Sequence, residues 1–188
     1  MPGFFYCRRS KPIAMQFTLI THERELPKPS NTGQLILAAA GVAARRIVWA
    51  RRTPDTQLLS DIEQRRVVLV YPLLGADGFR LTCLEEKDHH NTRNQLATLL
   101  PQAPVIVLID ATWQQAQKMF NQSPYLQQLP RLELARERPS QFWLRRNQKS
   151  AGLCTAECAI EILRLAGQKT AADRLELVFQ AFLHQPKR

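Results

Sequence analysis

The stretch from Val105 to Phe120, VIVLIDATWQQAQKMF, constrains the fold more than any other part of the 188-residue chain. Five apolar, largely β-branched residues lead into Asp110, and the pattern becomes helical two or three residues later. A short run that is apolar at every position is typical of a strand buried on both faces, as in parallel sheets. The chain is therefore predicted to pass from a buried strand into a helix at Asp110. This places a carboxylate where a strand leaves the sheet, and open α/β folds bind their ligands there.

Strands and helices are predicted to alternate along the rest of the chain. Thr112 followed by Gln115 has the form of a capping box, and Asn31 or Thr32 can cap the first helix. The alternation argues for one α/β domain over residues 1–188, with three layers and a mainly parallel sheet. Besides the strand at 105–109, we predict strands at 17–21, 47–49, 67–72 and 132–134, and helices at 34–40, 58–64, 92–100, 112–120, 155–166 and 171–184.

Charge is the strongest signal in the composition. The chain has 26 Lys and Arg residues against 16 Asp and Glu residues, a formal net charge of +10. Such an excess favours polyanionic partners, and nucleic acid leads because arginine suits phosphate contacts and stacking on bases. A generically soluble basic surface is the alternative, since charge alone also describes solubility and non-specific binding.

The same composition argues against a membrane protein and against a disulfide framework. No apolar run approaches the roughly 18 to 20 residues that a membrane-spanning helix needs, and the first residues carry charges where a signal peptide would be apolar. We therefore expect a cytoplasmic protein. The four cysteines lack paired CxxC spacing, which predicts neither disulfides nor a four-ligand zinc site. Cys154 and Cys158 are interpreted as two small buried residues on one face of a helix.

Familiar catalytic motifs are missing from the sequence. It has no GxGxxG after the first strand, no GxxxxGKS/T, no GxSxG and no HExxH. Asp110 then has two interpretations. It or Thr112 caps the helix that follows, which requires only a side-chain oxygen. Alternatively, an Asp beside Trp113 at a strand end accepts a proton from a substrate, with the indole increasing its basicity by partial desolvation. The local pattern leaves both open.

Four segments in one order carry a resemblance to a known family. They are KPSNTGQL at 28–35, VVLVYP at 67–72, DATWQQAQKMF with the following SPYL, and CTAE at 154–157. Together they resemble the DTW domain family, in which an Asp-x-Thr-Trp run follows a core strand. The resemblance covers roughly residues 17 to 166, and four ordered segments are far more specific than the Asp-x-Thr-Trp run alone.

The resemblance implies both a fold and an activity. DTW proteins are tRNA-uridine aminocarboxypropyltransferases: they transfer the 3-amino-3-carboxypropyl group of S-adenosylmethionine, a consumed co-substrate, to N3 of a uridine and release methylthioadenosine. Their fold is related to that of the SPOUT methyltransferases, whose C-terminal part forms a trefoil knot and binds the cofactor. Periodicity alone would not suggest a knot, because α/β chains are as a rule un-knotted.

The resemblance also assigns roles to residues at the predicted strand exit. Uracil N3 is a poor nucleophile until its proton leaves, so a positioned carboxylate is the natural base, and this role falls to Asp110. Thr112 and Trp113 are expected to fix Asp110 and to shape the wall that aligns the transferred carbon with N3. Packing of a helix on the sheet is the alternative role for Trp113.

The resemblance also implies which residues of this chain contact the cofactor and the tRNA. An exposed helix start offers N–H groups to the methionine carboxylate, and Glu157 is placed to hold its ammonium or a ribose hydroxyl; the alternative for Glu157 is a favourable acid in a first helical turn. Arg145 is matched to an arginine expected to contact phosphate, with a solvated charge as its alternative. The residues expected at the cofactor are Tyr71, Pro72, Leu153, Cys154, Thr155 and Glu157, and those expected at substrate or tRNA are Lys28, Asn31, Thr32 and Arg145.

The chain departs from many family members at its N-terminus. Those members carry four cysteines with zinc-ligand spacing, whereas only Cys7 precedes the first predicted strand here. We therefore expect no zinc module and no bound metal. Two other functions remain open: an RNA methyltransferase of the SPOUT type, and a non-catalytic RNA-binding protein that relies on its basic charge.

Overall fold

A computed structural model describes residues 13–73, 78–83, 104–136, 140–142 and 152–184, with the backbone alone for 78–83 and 135–136. Its strands are β1 (Gln16–Thr21), β2 (Ala44–Val48), β3 (Val67–Val70), β4 (Gly78–Cys83), β5 (Val105–Asp110) and β6 (Arg131–Arg136). Its helices are α1 (Gly33–Ala38), α2 (Thr56–Glu63), α3 (Trp113–Asn121), α4 (Pro124–Gln127), α5 (Thr155–Leu165) and α6 (Lys169–Leu183), with a single helical turn at Glu23–Glu25.

The strands form one sheet in the order β2-β1-β5-β3-β6-β4, and every described strand pair is parallel. The strand β5 lies between β1 and β3, so Ile106 is in register with Phe17 on one side and with Val68 on the other. Parallel strands all end at the same edge of a sheet. The exits of β1, β3, β5 and β6 are therefore brought together, and Asp110 is the last residue of β5.

Helices cover both faces of the sheet. Ile106 and Leu108 point into a core built with α1, α5 and α6. Val105 and Val107 point to the opposite face, into a core built with α2, α3 and α4. All four of these β5 residues are at most 3 % exposed, which explains why the strand is apolar at every position. The predicted three-layer α/β domain with a mainly parallel sheet is confirmed for the described part of the chain.

Most predicted elements are present, with shifted ends. Gly41 and Gly167 have φ values of +85° and +76° at the ends of α1 and α5, which is the backbone conformation that glycine favours after a helix. The connector after α3, for which no helix or strand was predicted, contains the short helix α4. The predicted helix at 92–100 lies outside the described residues.

The sequence analysis missed β4. Among the described strands β4 lies at the edge of the sheet, and it pairs with β6 from Gly78 with Arg131 to Cys83 with Arg136. Its sequence GFRLTC alternates apolar and polar residues, a pattern typical of a strand with one polar face. No strand was predicted for residues 79–83, because so short an alternation is a weak signal.

Two further findings bear on the earlier expectations. Within the described ranges, no helix has the length and apolar character needed to cross a membrane. The predicted trefoil knot stays a prediction, because the chain between β6 and α5 is described only at residues 140–142 and 152–154.

Candidate functional site

An open cavity of about 730 Å³ lies at the carboxyl ends of β3, β5 and β6. Its floor is formed by strand residues, and its sides are formed by the loop before α1, the start of α3 and the start of α5. Ligands of α/β proteins bind at this edge because loops of different strands meet there. The lining residues are Lys28, Ser30, Thr32, Val70, Tyr71, Pro72, Leu108, Ile109, Ala111, Thr112, Trp113, Ala116, Glu133, Leu134, Phe142, Gly152, Leu153, Cys154, Thr155 and Cys158.

Asp110 lies behind this wall and does not line the cavity. Its side chain is buried, with 1 % of the residue exposed. Its Oδ2 accepts hydrogen bonds from Thr21 Oγ1 at 3.1 Å and Asn31 Nδ2 at 2.8 Å, and its Oδ1 accepts one from Thr155 Oγ1 at 3.0 Å. Arg46 Nη2 lies 3.9 Å from Oδ2. A buried carboxylate needs such partners, because an isolated charge is strongly disfavoured away from water.

Gly33 allows the carboxylate to approach the backbone of α1. A Cβ atom at this position would lie 2.4 Å from Asp110 Oδ2, 2.6 Å from Cγ and 2.8 Å from Oδ1. These separations are too short for non-bonded atoms, so any side chain at Gly33 would displace the carboxylate or the helix. The glycine of the family segment at 28–35 therefore has a packing reason in this fold.

Asn31 connects Asp110 to the start of α1. Its Nδ2 donates to the carboxylate, while its Oδ1 accepts from Gln34 N at 3.1 Å and from Arg46 Nη2 at 3.3 Å. Asn31 is 1 % exposed and does not line the cavity. Of the two predicted caps of α1, Asn31 makes the side-chain bond to a helical N–H, whereas Thr32 occupies the cap position without one.

Thr112 is the N-cap of α3 and makes the predicted capping box. Its Oγ1 accepts from Gln115 N at 3.4 Å, and the Gln115 side chain accepts from Thr112 N at 3.1 Å. This arrangement satisfies backbone donors that the first turn leaves free. The cap fixes the direction in which α3 leaves β5, and Thr112 and Trp113 both line the cavity as a result.

Trp113 and Tyr71 form an aromatic stack along one side of the cavity. The ring of Tyr71 lies 6.0 Å from that of Trp113 and 4.3 Å from that of Phe120, with interplanar angles of 16° and 17°. Burial raises the pKa of the Tyr71 phenol, so the side chain stays neutral at physiological pH. Trp113 keeps 38 % of its surface exposed, which leaves part of the indole accessible to a planar ligand.

The start of α5 forms the opposite wall. Leu153, Cys154 and Thr155 line the cavity, and the backbone N–H of Ala156 donates to Thr32 Oγ1 at 3.4 Å. Burial, followed by the nearby negative charge of Glu157, raises the pKa of the Cys154 thiol well above its usual value of 9.0. Cys154 is therefore a neutral thiol in the wall rather than a nucleophile. Cys154 and Cys158, interpreted as simply buried, are partly exposed and both face the cavity.

Glu157 faces away from the cavity and connects internal segments. Its carboxylate accepts from Cys154 N at 2.8 Å, from Gln141 N at 2.8 Å and from Ser140 Oγ at 2.5 Å. It is 4 % exposed. These contacts match the alternative that the sequence left open for Glu157, an acid in the first turn of a helix. Its predicted contact with the ligand stays a prediction.

The loop before α1 contributes Lys28, Ser30 and Thr32 to the wall. Lys28 Nζ lies 2.6 Å from Glu25 Oε1, and the Glu25 side chain is fully buried. The ammonium group thus balances a buried carboxylate and fixes the loop next to the cavity. Lys28 remains partly exposed, so its charge also acts on whatever occupies the cavity.

The structure brings most of the predicted site residues onto one cavity. Asp110, Asn31 and Glu157 lie behind its wall, and Arg145 lies outside the described residues. Those that line the cavity are Lys28, Thr32, Tyr71, Pro72, Thr112, Trp113, Leu153, Cys154 and Thr155.

Glu133 is a charged lining residue that was not predicted from the sequence. It lies in the middle of β6 and contributes a carboxylate to the cavity wall, and its Oε2 is 3.5 Å from Leu73 N. A charged residue between Leu132 and Leu134 in a strand of a parallel sheet is the signal that would have identified it. Only the position of β6 beside β3 shows that this residue reaches the same cavity as Tyr71.

No metal site is present among the described residues, where no three His, Cys, Asp or Glu side chains are grouped to hold an ion. The cavity has instead the features of a site for an organic ligand. It has an aromatic side, an apolar floor, and a small number of charged and hydroxyl groups on its walls.

The fold and the cavity define an α/β protein with an open cavity at the exit edge of its parallel sheet. A family model described as the DTW domain matches residues 3–187. The chain therefore belongs to the DTW domain family, which is found in tRNA-uridine aminocarboxypropyltransferases. No solved structure matches the chain. Membership in this family is consistent with a tRNA-modifying activity.

Proposed function

We propose that the protein transfers the 3-amino-3-carboxypropyl group of S-adenosylmethionine to N3 of a uridine in tRNA and releases methylthioadenosine. The observation that carries this proposal is the meeting of four separate family segments at one cavity. Residues of 28–35, 67–72, 110–120 and 154–157 line it or lie directly behind its wall. Family membership supplies the reaction class, and the cavity supplies a place where that reaction can occur.

The cavity suits a nucleoside co-substrate. Its volume of about 730 Å³ lies within the roughly 300–1,000 Å³ of pockets that bind small organic ligands. Bound S-adenosylmethionine would supply an electrophilic carbon beside its sulfonium, with methylthioadenosine as the leaving group. The accessible face of Trp113 offers a platform for a base, whereas the N–H groups of Cys154 and Ala156 at the start of α5 are bonded within the chain.

A proton must leave uridine N3 before N3 attacks, and within the described ranges two carboxylates lie at or directly behind the cavity wall. Glu133 stands on the cavity wall, and Asp110 stands behind it. Asp110 is the residue that the sequence predicted as the base. In the described conformation its oxygens are shielded from the cavity and bonded to three donors. Glu133 is therefore the better placed acceptor, and variants of the two residues distinguish them.

Other parts of the proposal rest on different grounds. A SPOUT-like fold with a C-terminal trefoil knot and a tRNA partner rest on the family, whereas a cytoplasmic location and the absence of a bound metal rest on the apolar pattern and the cysteine spacing of the sequence. The net charge of +10 supports the tRNA partner, because phosphate contacts dominate affinity for nucleic acids. Binding to tRNA should therefore weaken steeply as salt rises, and a flat response would contradict this use of the charge.

Mass spectrometry of nucleosides tests the proposed function. Unmodified tRNA is incubated with the protein and S-adenosylmethionine, digested and analysed for uridine products. A mass gain matching the aminocarboxypropyl group supports the proposal, and a gain matching a methyl group supports an RNA methyltransferase instead. If no product forms but the protein still binds tRNA, the result supports a non-catalytic RNA-binding protein instead.

A pair of variants connects any product to the cavity. Glu133→Gln keeps the shape of the side chain but removes the proton acceptor, and we expect a loss of about 10²–10⁴ in turnover, the usual range for general base catalysis. Glu63→Gln, at the exposed last residue of α2, is the matched control. Equal activity of Glu133→Gln and wild type would remove Glu133 from this role.

A further inference from the structure

The geometry points to Asp110 as a positioning residue that holds the walls of the cavity together as a hydrogen-bond acceptor, and not as the proton acceptor of the reaction. This inference concerns the same cavity and its activity measurements rest on the proposed function. Its structural argument rests only on contacts within the chain.

The first step is access. Asp110 is 1 % exposed and is not among the residues that line the cavity. A general base must come within hydrogen-bond reach of the proton it removes, directly or through one water. The surroundings of Asp110 are side chains of the protein itself, which are already bonded to it.

The second step is the origin of those bonds. Thr21 ends β1, Asn31 lies in the loop before α1, and Thr155 begins α5; they are 89, 79 and 45 residues from Asp110 in sequence. Two of these segments, the loop before α1 and the start of α5, form adjoining parts of the cavity wall, where Ala156 N also donates to Thr32 Oγ1. One carboxylate at the end of β5 therefore holds both segments against the sheet.

The third step is compensation of the charge. Arg46 on β2 approaches both Asp110 Oδ2, at 3.9 Å, and Asn31 Oδ1, at 3.3 Å. A buried carboxylate that is paired and fully hydrogen-bonded resists rearrangement, because breaking one contact leaves a buried group unsatisfied. Gly33 completes the enclosure, since its missing Cβ provides the space that the carboxylate occupies.

The geometry also states what the position requires. The Asn31 amide nitrogen at Oδ2 can only donate and needs an acceptor, whereas the hydroxyls of Thr21 at Oδ2 and Thr155 at Oδ1 can each donate or accept. An asparagine with its oxygen at the Oδ2 position and its nitrogen at the Oδ1 position would keep all three contacts. A positioning role therefore tolerates asparagine, whereas a base must be a carboxylate.

Asp110→Asn and Asp110→Ala form the decisive pair. We expect Asp110→Asn to lower kcat/KM by about tenfold or less, since it loses the strengthening that an ionised acceptor adds to its hydrogen bonds. We expect Asp110→Ala to lower it by at least about a hundredfold, with a raised KM for S-adenosylmethionine contributing, because unpaired buried donors are costly. If Asp110→Asn is as inactive as Asp110→Ala and still binds S-adenosylmethionine like the wild type, Asp110 is the base and the inference fails.

Hydrogen–deuterium exchange gives a readout that does not need activity. Asp110→Ala should speed exchange in the peptides covering 28–33 and 152–157, and Asp110→Asn should restore wild-type protection there. Unchanged exchange in Asp110→Ala would overturn the inference even if the wild type proved to have no transferase activity. Conversely, if the wild type lacks transferase activity while Asp110→Ala still speeds exchange in these peptides, the result would refute the proposed function and support the inference.

Variants at two further positions guard against misfolding of Asp110→Ala. Thr21 is fully buried and does not line the cavity, so Thr21→Val removes one donor while keeping the side-chain volume, and Thr21→Ser restores the hydroxyl. We expect the valine variant to raise KM and the serine variant to recover it. Gly33→Ala should mimic Asp110→Ala in the wild type and cost little when added to Asp110→Ala. Additive losses in that double variant would refute the close contact.

Discussion

The capping box of α3 gives a prediction whose size follows from the structure. Thr112 Oγ1 accepts from Gln115 N at 3.4 Å and donates to Gln115 Oε1 at 2.7 Å, while Thr112 N donates to the same Oε1 at 3.1 Å. Thr112→Val keeps the shape of the side chain and removes the two contacts of its hydroxyl. Loss of an N-cap costs about 0.5–2 kcal/mol. Because the bond to the Gln115 N–H is long, we expect roughly 1 kcal/mol or less.

Urea unfolding followed by circular dichroism measures this loss. With a slope of about 2 kcal/mol per molar urea, a loss of 1 kcal/mol moves the midpoint by about 0.5 M. Thr112→Ser restores the hydroxyl and should recover most of the shift. In a Gln115→Ala background, Thr112→Val should cost less, because the two side chains act as a unit. A midpoint equal to wild type in Thr112→Val, or an equal shift in Thr112→Ser, would refute the cap.

Two further predictions concern the core and the dependence of stability on pH. Ile106→Ala should lower the free energy of unfolding by about 2–5 kcal/mol, because this side chain is fully buried. Leu177→Ala, at a residue that is 71 % exposed, should change it by less than about 0.5 kcal/mol. Equal losses of the two variants in urea unfolding would contradict the assigned core. Burial raises the pKa of the Cys154 thiol well above 9.0 and that of the Tyr71 phenol above 10.0, so the folded protein holds these protons more tightly than the unfolded chain. Their contribution to stability should be complete below about pH 9 and fall as pH rises further. Cys154→Ala should flatten the part of this fall that begins at the lower pH, because it removes the thiol. A free energy of unfolding that rises above about pH 9 would contradict the burial of the thiol and the phenol.

Local patterns were sufficient to predict the elements around the site. The apolar run of β5 and the Thr112–Gln115 capping box are encoded within a few neighbouring residues, and both are confirmed. The strand β4 was missed because its signal is a short and weak alternation of apolar and polar residues. An edge strand such as β4 needs less apolar sequence than a central one, so it is harder to recognise.

The contacts of Asp110 could not be predicted from its neighbours in sequence. The choice between helix cap and base considered residues 110–113, yet the donors to Asp110 come from Thr21, Asn31 and Thr155. These contacts depend on the position of β5 between β1 and β3, which no local pattern encodes. The placement of Glu133 on the cavity wall depends in the same way on β6 lying beside β3.

The order of strands in the sheet has a consequence for how the chain assembles during synthesis. The pair β1 and β2 and the strand β3 are all made before β5, but β5 is the strand that joins them. Until residues 105–110 arrive, the edges of β1 and β3 that will face β5 are both open, and open strand edges invite pairing with other chains. Contacts across such long sequence separations also form slowly. The strand that ends at Asp110 thus joins the two parts of the sheet, and the nascent chain is most exposed to aggregation just before β5 pairs with β1 and β3.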